Sequence, residues 1–264
     1  MAKNEVAVNE QKTNLPADEF DYGKYEGAGQ ADASELLIPF LGILHYSSPQ
    51  VDKASPRFIK GAEPGMILNS ATGELMEKFQ ALIVATEHNY VKYIPRDDGG
   101  GFEGILAPDD PLVLQLRSEQ SQFGALKLDG GKRELIETYY TYVFAKAFGP
   151  AFRAIVGYKS TQIKRFKAWR TLNNEFKYEV NGRWIQPPVW SHMFEFSSVP
   201  DSNKKGKFFS WKIEPRGGSK ETAFVSKHDP IWAEAAAMHD SLGAGKIKAN
   251  YAAQAQEPVD EDPF

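Results

Sequence analysis

Two long runs limit what this chain can fold into. FQALIVATEHNYVKYIP (79–95) and LIETYYTYVFAKAF (135–148) are dense in Val, Ile, Thr, Tyr and Phe. Such side chains lose rotamer freedom in a helix and pack well on a pleated surface. Both runs predict strands, the first ended by Pro95. AFRAIVGYKS (151–160) follows the second run across a Gly149-Pro150 turn. HMFEFSSV (192–199) and KFFSWKIEP (207–215) alternate around a polar connection at 203–206. GMILNSATGELM (65–76) reads as two short runs about a Thr72-Gly73 turn. RDDGGGFEG (96–104) reads as a loop, because successive glycines hold a regular element poorly. ELLIPFLGILHYSS (35–48) is apolar enough to be buried, as strand or helix. Roughly six to eight strands without strand–helix alternation predict a mainly β, α+β chain built on an antiparallel barrel or sandwich.

Two peripheral helices complete the expected domain. STQIKRFKAWRTL (160–172) takes Ser160 or Thr161 as its N-cap. DPIWAEAAAMHDSLG (229–243) takes Asp229 as N-cap, Pro230 in its first turn and Gly243 as its stop. Its Ile231, Ala235, Met238 and Leu242 form one stripe to pack on the sheet. Residues 1–35 are polar and acidic and predict a disordered N-terminal arm. Residues 243–264 predict a flexible acidic tail, which leaves 36–242 as the folded domain.

The net charge of −4 argues on its own against a nucleic-acid binder, but its distribution does not. Residues 1–35 hold 3 Lys against 8 acidic residues, and residues 251–264 hold 4 acidic residues and no base. Residues 153–220, by contrast, hold 14 Lys and Arg against 5 acidic residues, with four of the five Trp. Bases interleaved with aromatics suit single strands. Lys and Arg follow the phosphates while flat rings stack on unpaired bases, at about 1–3 kcal/mol per base and without regard to sequence. Duplex reading wants a recognition helix or a groove-entering arm, and the sequence offers neither.

Within the helix at 160–172, Ile163, Phe166, Trp169 and Leu172 share one half and Lys164 and Lys167 the other, with Arg165 and Arg170 near the edges. Lys159 lies just before it. In NKKGKFFSWKIE (203–214), Lys204, Lys205, Lys207 and Lys212 surround Phe209 and Trp211. As a strand, this segment puts Lys207, Phe209 and Trp211 on one face. That face is either a stacking platform or core beside a snorkelling lysine. Arg183 and Trp184 follow Gly182, and Trp190 follows Pro187-Pro188, so these rings sit near turns. All these bases and rings, Trp169 included, are candidate nucleic-acid contacts.

The chain closes on EPVDEDPF (257–264). Pro258 and Pro263 disfavour helix, so Asp260, Glu261, Asp262, Pro263 and Phe264 are expected to be extended. Phe264 offers a ring and the terminal carboxylate to a partner with an apolar pocket rimmed by Arg or Lys. A coil of 22 residues spans about 25 Å. A domain of about 200 residues has a radius of gyration of roughly 16 Å, so the tail can also reach a basic face of its own domain.

This acidic, Pro-Phe end resembles the tail of bacterial single-stranded DNA-binding proteins, and of tailed-phage replacements that carry such a tail on an OB-fold core. PRDDGGG (95–101), STQIKRFKAW (160–169) and NKKGKFFSW (203–211) are similar to segments of phage proteins predicted to bind single strands. The resemblance implies an OB-like barrel, sequence-independent binding of single-stranded DNA in phage replication and recombination, and a cytoplasmic place in the host. It also implies recruitment of polymerase, helicase or nuclease through the tail, and it is compatible with a homodimer. Two features depart from it. The chain exceeds a minimal OB domain, so residues 36–135 need extra strands, and the acidic N-terminal arm is not part of the bacterial pattern.

Enzyme chemistry finds fewer residues. A nuclease needs clustered carboxylates for Mg²⁺. Asp97-Asp98 and Asp109-Asp110 are pairs, but they sit in turn-like sequence where Asp serves the backbone. RDDGGG lacks the GK[ST] ending and following helix of a phosphate loop. His45, His88, His192, His228 and His239 show no paired ligand spacing, and the chain has no Cys and no G-x-S-x-G. No metal or cofactor is implied, and the chain reads as a binder rather than an enzyme. The alternatives are a single-strand annealing protein, a Mg-dependent nuclease, or an adaptor whose tail alone matters. No basic start with an apolar run marks a signal peptide, and no apolar stretch is long enough to span a membrane.

Overall fold

The computed structural model describes residues 37–95, 98–120, 124–147, 151–203, 206–245, 249 and 251, which belong to one compact unit. The N-terminal arm and the tail residues 260–264 lie outside the described residues. Strands β1 (Phe40–Ile43), β2 (Ile67–Asn69) and β3 (Leu75–Met76) precede β4 (Lys78–Ile94), the first long run, on which β5 (Gly101–Leu106) folds back. Helix α1 (Pro111–Glu119) and β6 (Leu126–Leu128) lead to β7 (Arg133–Lys146), the second long run, followed by β8 (Phe152–Lys159). Next come α2 (Ile163–Asn174), the hairpin of β9 (Tyr178–Val180) and β10 (Arg183–Ile185), and the strands β11 (Met193–Asn203) and β12 (Gly206–Pro215). Helices α3 (Lys220–Ala223) and α4 (Pro230–Gly243) follow.

The main sheet runs β12-β11-β4-β7-β8-β1-β2-β3, with β5 on β4 and β6 on β7. Strands β4, β7 and β8 are antiparallel neighbours, and β11 returns through α2 to pair with the other side of β4. Three consecutive strands with the fourth beside the first make a Greek key, and β12 extends it as a hairpin with β11. Strand β1 joins β8 in parallel.

The long runs are buried on both faces, which is why they read as continuous rather than alternating. One cluster holds Phe79, Ala81 and Ile83 of β4, Val143 of β7 and Val156 of β8. It also holds Leu41 of β1 and Trp211 of β12, from distant places in the strand order, so the sheet curls into a half-barrel around it. The opposite face carries Leu82, Val84, Tyr140, Tyr142 and Ile155, packed with Ala235 and Met238 of α4. A register shift between Ile83 and Ala85 bulges β4 where the sheet bends. The outer edge of β12 is completed by a side chain. The buried Gln162 donates from Nε2 to the Phe209 carbonyl at 2.9 Å and accepts the Trp211 N–H at Oε1 at 3.0 Å.

Several expectations need correction. There are four helices among the described residues rather than two. Helix α1 begins with Asp110, whose Oδ1 accepts the Leu112 N–H at 2.9 Å, followed by Pro111. That is the Asp-Pro start recognised at Asp229-Pro230, and it gives Asp110 a capping role. Helix α2 starts later than expected, because Ser160–Gln162 form a tight 3₁₀ turn in which Ser160 has φ +56° and caps nothing. Strand β5 begins at Gly101, inside the expected loop. The β9–β10 hairpin was not foreseen; its two-residue turn is Asn181 (φ +51°) and Gly182 (φ +72°), the positive-φ pair that tight hairpins require. Finally, Ala249 and Tyr251, within the expected flexible tail, pack on the sheet.

Replacing Gln162 with Ala strands a donor and an acceptor at the edge of β12. It is expected to cost about 2–3 kcal/mol, read as a lower urea midpoint at unchanged slope. An unchanged midpoint would show that the edge does not depend on this amide.

Candidate nucleic-acid interface

Most rings of the basic window went into the core. Trp169, 1% exposed, lies edge-on to Phe194 with centroids 6.0 Å apart. Trp211, 3% exposed, lies edge-on to Phe79 and Phe196, which stack on each other at 4.8 Å. Neither can stack on a base without unpacking the half-barrel, so both expectations are corrected. The helical stripe of Phe166 and Trp169 faces the sheet, and the Trp211 face of β12 is the concave one. Trp190 is also corrected: it is half-buried beside α4, with its ring 4.5 Å from His239 and 6.1 Å from Trp232. Phe209 is half-buried. Its ring lies 5.7 Å from that of Tyr46 and so close over Gly65 that a Cβ there would come within 2.7 Å of it.

The bases gather where α2 meets the β11–β12 hairpin, at Asp201. Lys164 Nζ and Arg165 Nη2 donate to Asp201 Oδ2 at 3.0 and 2.9 Å, and Ser210 Oγ donates to the same oxygen at 2.9 Å. Burial works against its charge, yet hydrogen bonds from Lys164, the Ser202 N–H, Ser210 and Arg165 hold the Asp201 carboxyl far below the usual range. Lys207 is exposed on the same strand face as Phe209, while Lys204 and Lys205, in the turn, lie outside the described residues. Lys167 and Arg170 continue the exposed side of α2, with Lys167 Nζ 5.8 Å above the Tyr139 ring. Lys159 is half-buried at the end of β8. Lys212 pairs with Glu214 at 2.8 Å.

Arg183 and Trp184 ride on the β9–β10 hairpin. Trp184 is 68% exposed, beside the exposed Val180 and Ile185. The hairpin is fixed at its base by Tyr178, whose hydroxyl lies 2.7 Å from Nε2 of the buried His192. The two rings stack, and Phe176 and Phe224 meet His192 edge-on. Burial, reinforced by the charge of Lys220, depresses the His192 pKa to about 4, so the ring is neutral at pH 7.

Two further groups of rings lie outside the basic window. Tyr46, 64% exposed, is the outer partner of Phe209. His88 stacks on Tyr139 at 4.1 Å, and Tyr139 stacks on Phe166 at 4.7 Å, which ties β4 and β7 to α2. Glu137 accepts from Tyr139 and lies 2.9 Å from His88 Nε2. Burial, helped by Glu137, pushes the Tyr139 phenol up to about 12. Alternation along TYYTY was the available signal, since it turns Tyr139 and Tyr140 to opposite faces.

Among the described residues, no group of three His, Asp or Glu is arranged to hold a metal, and no helix is long and apolar enough to cross a membrane. The model of the Pam3 phage gp34-like protein family matches residues 9–248, and the chain belongs to that phage protein family. No curated protein and no solved structure matches the chain.

The hairpin anchor carries a pH signature. His192 takes a proton near pH 6.5 when unfolded but only near pH 4 when folded. Its contribution to stability is therefore complete above pH 6.5 and is lost as pH falls from 6.5 towards 4, by up to about 3 kcal/mol. Urea unfolding across that window should show this loss in the native chain and a shallower one in His192→Gln. Parallel curves would contradict the assignment.

Proposed function

We propose that this member of the Pam3 phage gp34-like family binds single-stranded DNA without sequence preference and protects strands during phage replication and recombination. The observation that carries the reading is the corner at Asp201. There Lys164 and Arg165 converge on one face of the β11–β12 hairpin, Lys207 and the Tyr46–Phe209 ring pair lie on its other face, and Lys167 and Arg170 continue the exposed side of α2. Cations in a row beside accessible rings are the apparatus of sequence-tolerant single-strand binding. Trp184 and Arg183 add a second exposed ring and base on a rigidly based hairpin.

The fold supports the same reading. An OB-fold is a partly open, five-stranded Greek-key barrel that binds oligonucleotides on its second and third strands and on the loops joining strands one to two and four to five. Taking β4, β7, β8, β11 and β12 as those five strands puts the binding face on β7–β8. The two loops are then 95–132 and 203–206, the second containing Lys204 and Lys205. Residues 36–78 and 95–132 are additions to that plan. The acidic residues Asp260, Glu261 and Asp262, with Pro263 and Phe264, are proposed to recruit a replication polymerase, helicase or nuclease. No cofactor takes part.

Titration of the full chain with oligo-dT should give tight binding that weakens steeply with salt, and much weaker binding to a duplex of equal length. Trp184→Ala should weaken single-strand binding by about tenfold, within the range of about 1–3 kcal/mol per stacked base, at an unchanged melting temperature. Lys167→Ala should lower the salt slope by about one phosphate contact. Absence of binding at low salt, equal binding of duplex, or shortening of the strand on adding Mg²⁺ would each contradict the proposal.

A further inference from the structure

The outer face of β7 is covered by one residue from the far end of the chain. The Tyr251 ring lies 4.9 Å from that of Tyr140 and 6.2 Å from that of Phe40. Its hydroxyl donates to Glu87 Oε2 at 2.5 Å and lies 3.0 Å from the Tyr142 hydroxyl, which donates to the same oxygen at 2.7 Å. Glu87 Oε1 accepts from Asn89 Nδ2 at 2.8 Å, so the carboxylate is held in place without Tyr251. Burial and then Glu87 raise the Tyr251 phenol, which stays a donor. Helix α4 covers the neighbouring part of this face, where His239 Nδ1 meets the Val84 carbonyl at 2.7 Å.

What lies under Tyr251 has the make-up of a ring site. Phe40 and Tyr140 supply aromatic walls, and Glu87 supplies a fixed acceptor at the floor. Across the β7–β8 ladder, Gly157 stands opposite Tyr140, which leaves that position without a side chain. Lys159 stands opposite Thr138 and Arg153 opposite Phe144, so basic residues flank the slot along β8 on the same face. Flat walls, an acceptor for ring N–H groups and a basic residue on either side along β8 match an unpaired nucleobase within a strand. A base in a duplex has its N–H edge engaged and its faces stacked.

We infer that this slot is a nucleobase site filled in the free protein by the chain's own Tyr251, which a single strand must displace. The inference rests on the single-strand reading and adds to it both a site and its regulation. A docked Tyr251 lowers the apparent affinity by the fraction of molecules in which the slot is open. Weakening the dock therefore tightens binding.

The test compares oligo-dT affinity, by anisotropy of a labelled strand, for the full native chain, Tyr251→Phe and Tyr251→Ala, with melting temperatures measured alongside. Tyr251→Phe keeps the ring and loses the hydrogen bond to Glu87, and is expected to bind about threefold tighter; Tyr251→Ala is expected to bind about tenfold tighter. If Tyr251→Ala does not fold, Tyr251→Phe decides on the same criterion. Folded variants that bind as the native chain does, or more weakly, overturn the inference and leave the single-strand reading standing. Native and variant chains that all fail to bind remove both. Binding gained only in the variants supports the inference but contradicts the tight binding expected of the native chain.

Discussion

The ladder between β4 and β7 runs from Gln80 opposite Lys146 to Tyr93 opposite Glu134, and the other elements take their places from it. Strands β11 and β8 add to its two sides, and β5 and β6 extend its far end. Because both faces of this ladder are apolar, both must be covered. Curling of the sheet covers one, with α2, Trp169 and Trp211 filling the concavity. Helix α4 and Tyr251 cover the other. A face buried this way does not need α4 at every position, and at Tyr140 the single side chain of Tyr251 does the covering.

Polar groups inside this frame do specific mechanical work. Gln162 substitutes for a missing neighbour strand along β12. His192, kept neutral by burial, ties the base of the β9–β10 hairpin to β11. Asp201 draws α2 onto the β11–β12 hairpin and in doing so holds Lys164 and Arg165 against that hairpin. Partly exposed ion pairs of this kind contribute little to stability. The larger effect of Asp201 is positional, because it holds two bases at the rim of the sheet where a phosphate could exchange with a carboxylate.

Strand runs were legible wherever composition and punctuation agreed: β4 up to Pro95, β7, β8, and β12 with its polar turn. The Asp-Pro start of α4 was legible too, and the same start opens α1 at Asp110-Pro111, where Asp109 beside it makes the segment read as a turn-like carboxylate pair. The charge asymmetry marks the basic window, but the rings within it are mostly core. Helical spacing already placed Trp169 with Phe166 on the apolar stripe, whereas nothing local told which face of β12 would be concave, since that depends on strands more than a hundred residues away. Tyr251 was unreadable for the same reason: its partners Glu87, Phe40 and Tyr140 are assembled by topology, and the segment around it is small and polar.

Hydrogen exchange of the full chain with and without saturating oligo-dT tests the account most directly, because it reads every segment in one experiment. Slower exchange in α2, at the β11–β12 tip and in the β9–β10 hairpin, together with faster exchange around residue 251, is the predicted result. Unchanged exchange in all of these segments, or protection confined to α1 and β5 on the far extension of the ladder, would contradict it.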